Sequence, residues 1–309
     1  MKLLRFAIIV CVTAVLLSLT VTSQTYSGTA AFWQLGMGAR PIALGGAFVC
    51  PADDENALLH NPAGLAWGRG LSLASSAEIR SSAAGYGHVS ACLGNFGAGL
   101  HYLDLGNVPQ TDELANVIGS FSYRSYGLVV GTGFRVSDIA LLADLPLSDS
   151  IAAGLCGKFL AIDTLDQGDG NGLGIDAALL LRFDSPWFAQ RFLSTLEFGF
   201  VARNVLSSPM QFASGHFEDW VREVDIGLAV QIVRNLLLSM QANSGGSRRL
   251  GLEWSPVPGL DLRAGLRQDG VRMWSFGVGT HLGYMQFDYA LVLHPYLRTQ
   301  HRGSFTLNW

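Results

Sequence analysis

The sequence predicts an all-β protein: a transmembrane antiparallel β-barrel of about fourteen strands, preceded by an N-terminal hatch segment. Three observations predict it. The 309 residues are 49% hydrophobic and only 14% charged, with a mean hydropathy of +0.30. Beyond the first two dozen residues no uninterrupted apolar run is long enough to cross a membrane as a helix. From residue 69 to the end, apolar and polar residues alternate with period two in segment after segment. An exported chain that is this apolar and lacks a spanning helix can bury its backbone in lipid by closing a barrel, where every N–H and C=O pairs between strands.

The elements follow in order. Lys2 and Arg5 precede an apolar run from Phe6 to Thr22 that ends at Val21-Thr22-Ser23. A basic start, an apolar run and a small polar end predict a secretory signal peptide over residues 1–23; a retained N-terminal anchor is the alternative. Residues 24–68 show no sustained alternation and form the expected hatch, and residues 69–309 form the barrel. Expected strands cover 70–78, 85–92, 96–104, 119–135, 151–163, 172–183, 195–204, 223–233, 236–244, 248–255, 260–267, 272–281, 284–293 and 302–309. In the clearest of them Leu260, Leu262, Ala264 and Leu266 alternate with Asp261, Arg263, Gly265 and Arg267. Such a pattern turns the apolar face to lipid and the charged, glycine-rich face to the lumen. The fourth strand changes phase between Tyr123 and Tyr126, which predicts a bulge there or a division into two strands. Residues 136–150 are long for an inner turn and leave room for a further strand.

Longer connections (105–118, 164–171, 205–222, 294–301) alternate with short ones, as expected when hairpin turns face the periplasm and loops face outward. The chain ends in Phe305, Leu307 and Trp309, spaced by Ser304, Thr306 and Asn308. A last strand closing on an aromatic resembles the terminal strand of bacterial outer-membrane barrels, where it serves as the signal to the barrel-assembly machinery. Outer-membrane lipids are the expected surroundings.

Residues 36–66 carry the most distinctive motif. Gly36 and Gly38 belong to a glycine-rich run, Gly45-Gly46 permits a tight bend, and Asp53-Asp54-Glu55 suits the positive end of a short helix. Pro62 restricts Asn61 and should end that helix before it. The glycine run, the acidic pair and then Asn61-Pro62-Ala63-Gly64-Leu65 look like the hatch of FadL-like outer-membrane proteins. They are especially similar to the PorV/PorQ (UPF0164-type) branch, as is the stretch from Phe287-Asp288-Tyr289-Ala290 to Thr299-Gln300-His301-Arg302. Gln300 and Cys50-Pro51 depart from that pattern. The resemblance implies a fourteen-stranded barrel plugged by its hatch. It implies one of two roles: a passive conduit releasing small hydrophobic molecules sideways into the membrane, or a type IX-like secretion component receiving protein cargo. In the first, movement around Asn61-Pro62-Ala63 would form the gate. Loop 205–222, with Met210, Phe212, Phe217 and Trp220, is the candidate ligand or partner loop under either.

Other chemistry finds little footing. Removal of residues 1–23 takes away Lys2 and Arg5, making the chain two charges more negative than the −4 of the full sequence, with Lys158 the remaining lysine. No basic stripe exists, so nucleic acid is not an expected partner. Cys50, Cys92 and Cys156 are odd in number and widely spaced, without a disulfide framework or zinc pattern. Asp166–Gly172 has calcium-loop residues but lacks the bidentate glutamate. The scattered histidines form no ligand pair, and no nucleophile stands out. No cofactor, no metal and no enzymatic activity are therefore expected. Arg203, Arg249, Arg263 and Arg267, with Glu197, Asp225, Glu253, Asp261 and Asp288, should face the lumen and pair there, or line a polar pore. The tryptophans at 33, 67, 220, 254, 274 and 309 are expected in interface girdles.

Overall fold

A computed structural model describes residues 28–79, 85–184, 193–232 and 235–309. The proposed signal peptide and parts of the connections 80–84, 185–192 and 233–234 lie outside them.

Fourteen antiparallel strands close a barrel. They are β1 (Leu71–Ile79), β2 (Gly85–Leu93), β3 (Phe96–Thr111), β4 (Val117–Arg135), β5 (Ile151–Asp163), β6 (Gly170–Asp184) and β7 (Leu193–Phe212). After a two-residue strand, β8 (Phe217–Glu218), come β9 (Glu223–Ile232), β10 (Leu236–Asn243), β11 (Arg248–Val257), β12 (Leu260–Asp269), β13 (Val271–Leu282), β14 (Met285–Leu293) and β15 (Gln300–Asn308). Each pairs with its sequence neighbour, β7 with β9, and closure comes from β1 on β15, with Ser72 opposite Asn308 and Ile79 opposite His301. The alternation in the sequence sets the faces. On β6, Ile175 and Leu179 are exposed outward, while Asp176, Ala178 and Leu180 are buried inward.

Several expectations need correction. The fourth strand holds a bulge, but at Ile118, where β3 advances one residue from Gln110 to Thr111 while β4 advances two from Gly119 to Val117, and not between Tyr123 and Tyr126. Between Asp104/Arg124 and Asn107/Ser122, β3 advances three residues while β4 advances two, so the extra residue sits in β3, beside Gly106 at φ 64°. Residues 136–150 add no strand; they hold two 3-10 turns, Val136–Asp138 and Ser148–Ser150. The expected loops 105–118 and 205–222 are largely strand, because β3, β4, β6 and β7 continue beyond the expected ends. On β7 the alternation is interrupted at Arg203–Val205, where Asn204 adopts φ 54° and the register against β6 shifts. Asparagine tolerates that conformation better than most residues.

One rim of the barrel, here the terminal rim, carries the start of β1 and the end of β15. The opposite loop rim carries 112–116, 164–169 and the hairpin around β8. Residues 28–68 fill the lumen between the rims. A 3-10 helix (Thr29–Leu35) begins near the loop rim, short helices follow at Ala39–Ala43 and Ala57–His60, and a 3-10 helix at Pro62–Trp67 packs on β4, β5 and β6 near the terminal rim. Met37, Leu44, Phe48, Leu58 and Asn61 are fully buried. Wall glycines make this approach possible: a Cβ at Gly133 would stand 2.5 Å from the Pro62 carbonyl oxygen and 2.7 Å from the Ala66 nitrogen.

Candidate functional site

The inner segment is tied to the wall by charge as well as packing. Arg40 reaches Glu253 of β11 (Nε to Oε2, 2.8 Å) and also meets Asp53 (2.5 Å) and Asp54 (2.9 Å). The acidic pair therefore grips an arginine of its own segment. The helix it was expected to open starts later, at Ala57, although Asp54 Oδ1 does accept the Asn56 N–H at 2.9 Å. That helix ends at His60, before Pro62 as expected. Asn61 then joins two passages of the segment: its Nδ2 donates to the Val49 carbonyl (2.6 Å) and its Oδ1 accepts the Ala63 N–H (3.1 Å). Pro62, Ala63 and Gly64 are buried beside it. Gly36, Gly38, Gly45 and Gly46 all have positive φ, between 67° and 79°. At Gly45 a Cβ would meet the backbone of Leu266, so both the turn and the close approach require glycine there.

The β7 bulge aims Arg203 into the lumen. Its guanidinium bonds Asp225 (2.9 Å) and Asp176 (3.2 Å) and donates to the carbonyls of Leu59 and His60 (2.6 and 2.7 Å), capping the last turn of the Ala57–His60 helix. Asp176 also pairs with Lys158 at 2.7 Å, and both are buried. Arg263 gathers Glu253, Asp261 and Asp288 at 2.5–3.0 Å. Arg302 pairs with Glu78 across the β15–β1 seam and donates to the Gly36 carbonyl at 3.3 Å. These lumen charges thus bind wall to wall and wall to plug, and Arg203, Arg263 and Arg302 are each offset by carboxylate partners.

Several plug groups are held away from their usual ranges, Glu55 and His60 among them. Burial, reinforced by Asp54, pushes the Glu55 carboxyl up to about 8; it accepts from Thr306 Oγ1 at 2.9 Å. Burial and the positive charge of Arg203 hold His60 down at about 3, so its ring is neutral.

Of the candidate loop residues, the structure brings together only some. Met210 is fully buried and Trp220 is 4% exposed; both point into the lumen, with Phe212 packed partly against their cluster. Phe217 is 60% exposed and stands apart. The hairpin closes over the start of the plug: Glu218 Oε1 accepts the Thr29 N–H at 2.5 Å and Oε2 accepts its hydroxyl at 2.6 Å. Trp33 and Trp220 are not girdle residues, since both lie inside and flank the Lys158 ammonium at 5.9 and 5.7 Å from their ring centres. Trp254, Trp274 and Trp309 are outward and exposed. Sequence reasoning missed Arg40, Lys158, Asp176 and Glu218 as site residues. The one available signal was Lys158, a lone lysine on the inward phase of an otherwise apolar and glycine-rich strand.

The outer wall has a hollow of about 1110 Å³ centred on β15, β1 and β2. The register explains it. Gly87, Ala77 and Gly303 stand side by side across three strands and present almost no side chain. Tyr102 flanks them on β3 and Tyr289 on β14, with Phe305 below. Phe305 packs against Phe287 in a tilted arrangement, ring centres 4.8 Å apart. Phe305 and Leu307 are thus wall residues of the closing strand, and Trp309 is exposed at the terminal rim.

Comparison with solved structures gives the same architecture. A monoaromatic hydrocarbon channel, CymD, superposes with TM-score 0.60 over 89% of this chain and 98% of its own, at 9% identity. A deletion mutant of the channel TodX superposes with TM-score 0.59 over 89% and 99%, at 13% identity. The Pseudomonas putida toluene transporter TodX gives 0.55 over the same shares, at 11%. The fold is the FadL-type barrel. At these identities the likeness is one of fold. These neighbours are channels and transporters by name, and the likeness carries no more than the fold. It does not reach the PorV/PorQ branch. In sequence the chain matches no family model and no curated protein.

Proposed function

We propose that this protein is a passive outer-membrane conduit for small hydrophobic molecules. The observation that carries the reading is the pairing of a filled lumen axis with a large apolar hollow in the lipid-facing wall. A water-filled pore needs an open axis, whereas here residues 28–68 occupy it from rim to rim. Apolar cargo has no need of an aqueous axis, because the low-energy destination is the membrane itself. Structural neighbours named for monoaromatic hydrocarbons support this reading. No observation of this chain favours a secretion role.

The test is uptake by cells expressing the chain in an outer membrane stripped of comparable channels. Toluene uptake should rise severalfold and pentose uptake should not. The Gly87→Phe variant, which fills the floor of the hollow from outside, should return toluene uptake towards background while leaving the barrel's heat-modifiable gel mobility unchanged. Pentose entry without toluene entry would end the proposal in favour of an aqueous pore.

A further inference from the structure

A second cavity lies inside the barrel, towards the loop rim, where the start of the plug, the β7–β8 hairpin and the wall meet. Its volume is about 110 Å³. That is somewhat less than the engineered cavity of about 150 Å³ that takes up benzene, so a substituted ring fits only with its substituents seated among the polar groups of the lining. Unlike that cavity, it is built with polar groups that nothing in the protein satisfies. Trp33 and Asn204 line it and are both more than nine-tenths buried, yet the Trp33 indole N–H and the Asn204 amide oxygen have no hydrogen-bond partner. One is a donor and the other an acceptor. A hydroxyl group, which accepts one hydrogen bond and donates another, complements both.

The charges around the cavity are unequally engaged. Arg203 is spent on Asp176 and Asp225, and Lys158 on Asp176. Glu218 is held by Thr29, and Glu223 accepts from Asn243 at 3.3 Å. Asp219 is exposed at the edge. Arg249 differs. Its guanidinium makes only long contacts, to Ser247 Oγ (3.3 Å) and the Gly46 carbonyl (3.4 Å), and pairs with no described carboxylate. A guanidinium lining a confined cavity without its own anion is the partner a ligand carboxylate requires, by charge-assisted and often bidentate bonds. Leu59 and the Trp33 ring provide the apolar wall.

We propose that this cavity binds a single-ring hydroxylated aromatic acid, its carboxylate on Arg249 and its hydroxyl between Trp33 and Asn204. As a station on the conduit the site rests on the transport reading; as a binding site it stands alone and is tested by binding. The full chain, extracted in detergent, is titrated calorimetrically with 4-hydroxybenzoate, benzoate and toluene. Affinity should fall in that order. Arg249→Gln should weaken 4-hydroxybenzoate at least tenfold, Arg249→Lys should restore part of the loss, and toluene should be indifferent to both. Unchanged gel mobility of the variants separates lost binding from lost folding. The proposal is overturned by a flat ranking of the three compounds, or by 4-hydroxybenzoate binding that Arg249→Gln leaves intact. If toluene enters cells but 4-hydroxybenzoate does not bind, the site fails and the conduit survives. Binding without any uptake sinks the conduit and leaves the site.

Discussion

Single residues in this barrel matter most where a charge is buried among few partners. Asp176 has no exposed surface and serves both Lys158 and Arg203. Asp176→Ala would leave Lys158 buried without a carboxylate while Arg203 keeps Asp225, and a broken buried pair costs about 3–5 kcal/mol. The variant should unfold at clearly lower temperature in a heat-modifiability assay, and Asp176→Ala with Lys158→Met should recover part of the loss. Glu55 predicts a pH dependence of known sign. Its folded pKa, about 8, lies above the ordinary carboxylate range. The folded state therefore holds its proton more tightly than the unfolded state. This contribution to stability is full below the ordinary glutamate pKa of about 4.5 and is lost as pH rises towards 8. Amides of residues 50–60 should exchange more slowly at pH 5 than at pH 8.5 after correction for intrinsic rates. Glu55→Gln should remove most of that difference; an unaltered pH dependence in the variant would assign it to another group.

At the scale of elements, the plug depends on what the wall omits. Gly133 faces the Pro62–Trp67 turn with no room for a Cβ. Gly133→Val should unseat the turn at a cost of about 1–3 kcal/mol or more, as overpacked cores do. It should expose residues 60–70 to proteolysis from the terminal rim while leaving strand pairing intact. At the loop rim the Glu218–Thr29 contact holds the first turn of the plug to the β7–β8 hairpin. Glu218→Ala should speed hydrogen exchange at residues 29–35 and leave residues 57–67 unchanged, because Arg203 and Asn61 secure that end independently. Equal acceleration at both ends would mean that the plug moves as one body. The strands were legible because a barrel wall has one wet or packed face and one lipid face, which imposes a strict period of two. Their ends were not. β3, β4, β6 and β7 continue past the expected boundaries, and nothing in local alternation marks where lipid stops and a projecting hairpin begins.

For the whole molecule, closure rests on the last strand. β15 pairs with β14 on one side and β1 on the other, so Phe305, Leu307 and Trp309 belong to the element that seals the barrel. Truncation before Phe305 would remove half of β15 and leave the facing edges of β1 and β14 unpaired, and lipid offers no compensating hydrogen bonds. Barrels lacking residues 305–309 should therefore fail to appear as heat-modifiable species in the outer membrane. Full-length levels after truncation would show that closure needs only the first half of the strand.

The sequence by itself determined the barrel, its inward and outward faces, the separate character of residues before 69, and the turn chemistry of Gly45-Gly46 and Asn61-Pro62. Each of these follows from local periodicity or backbone preference, which neighbouring residues impose on one another. Only the tertiary structure decided that Arg40 holds the acidic pair, that Arg203 caps a helix from across the lumen, and that Met210 and Trp220 face inward. It also showed how three small residues on three strands combine into one hollow. Those facts depend on strand register and on a bulge at Asn204, and register is a property of paired strands that no single segment carries.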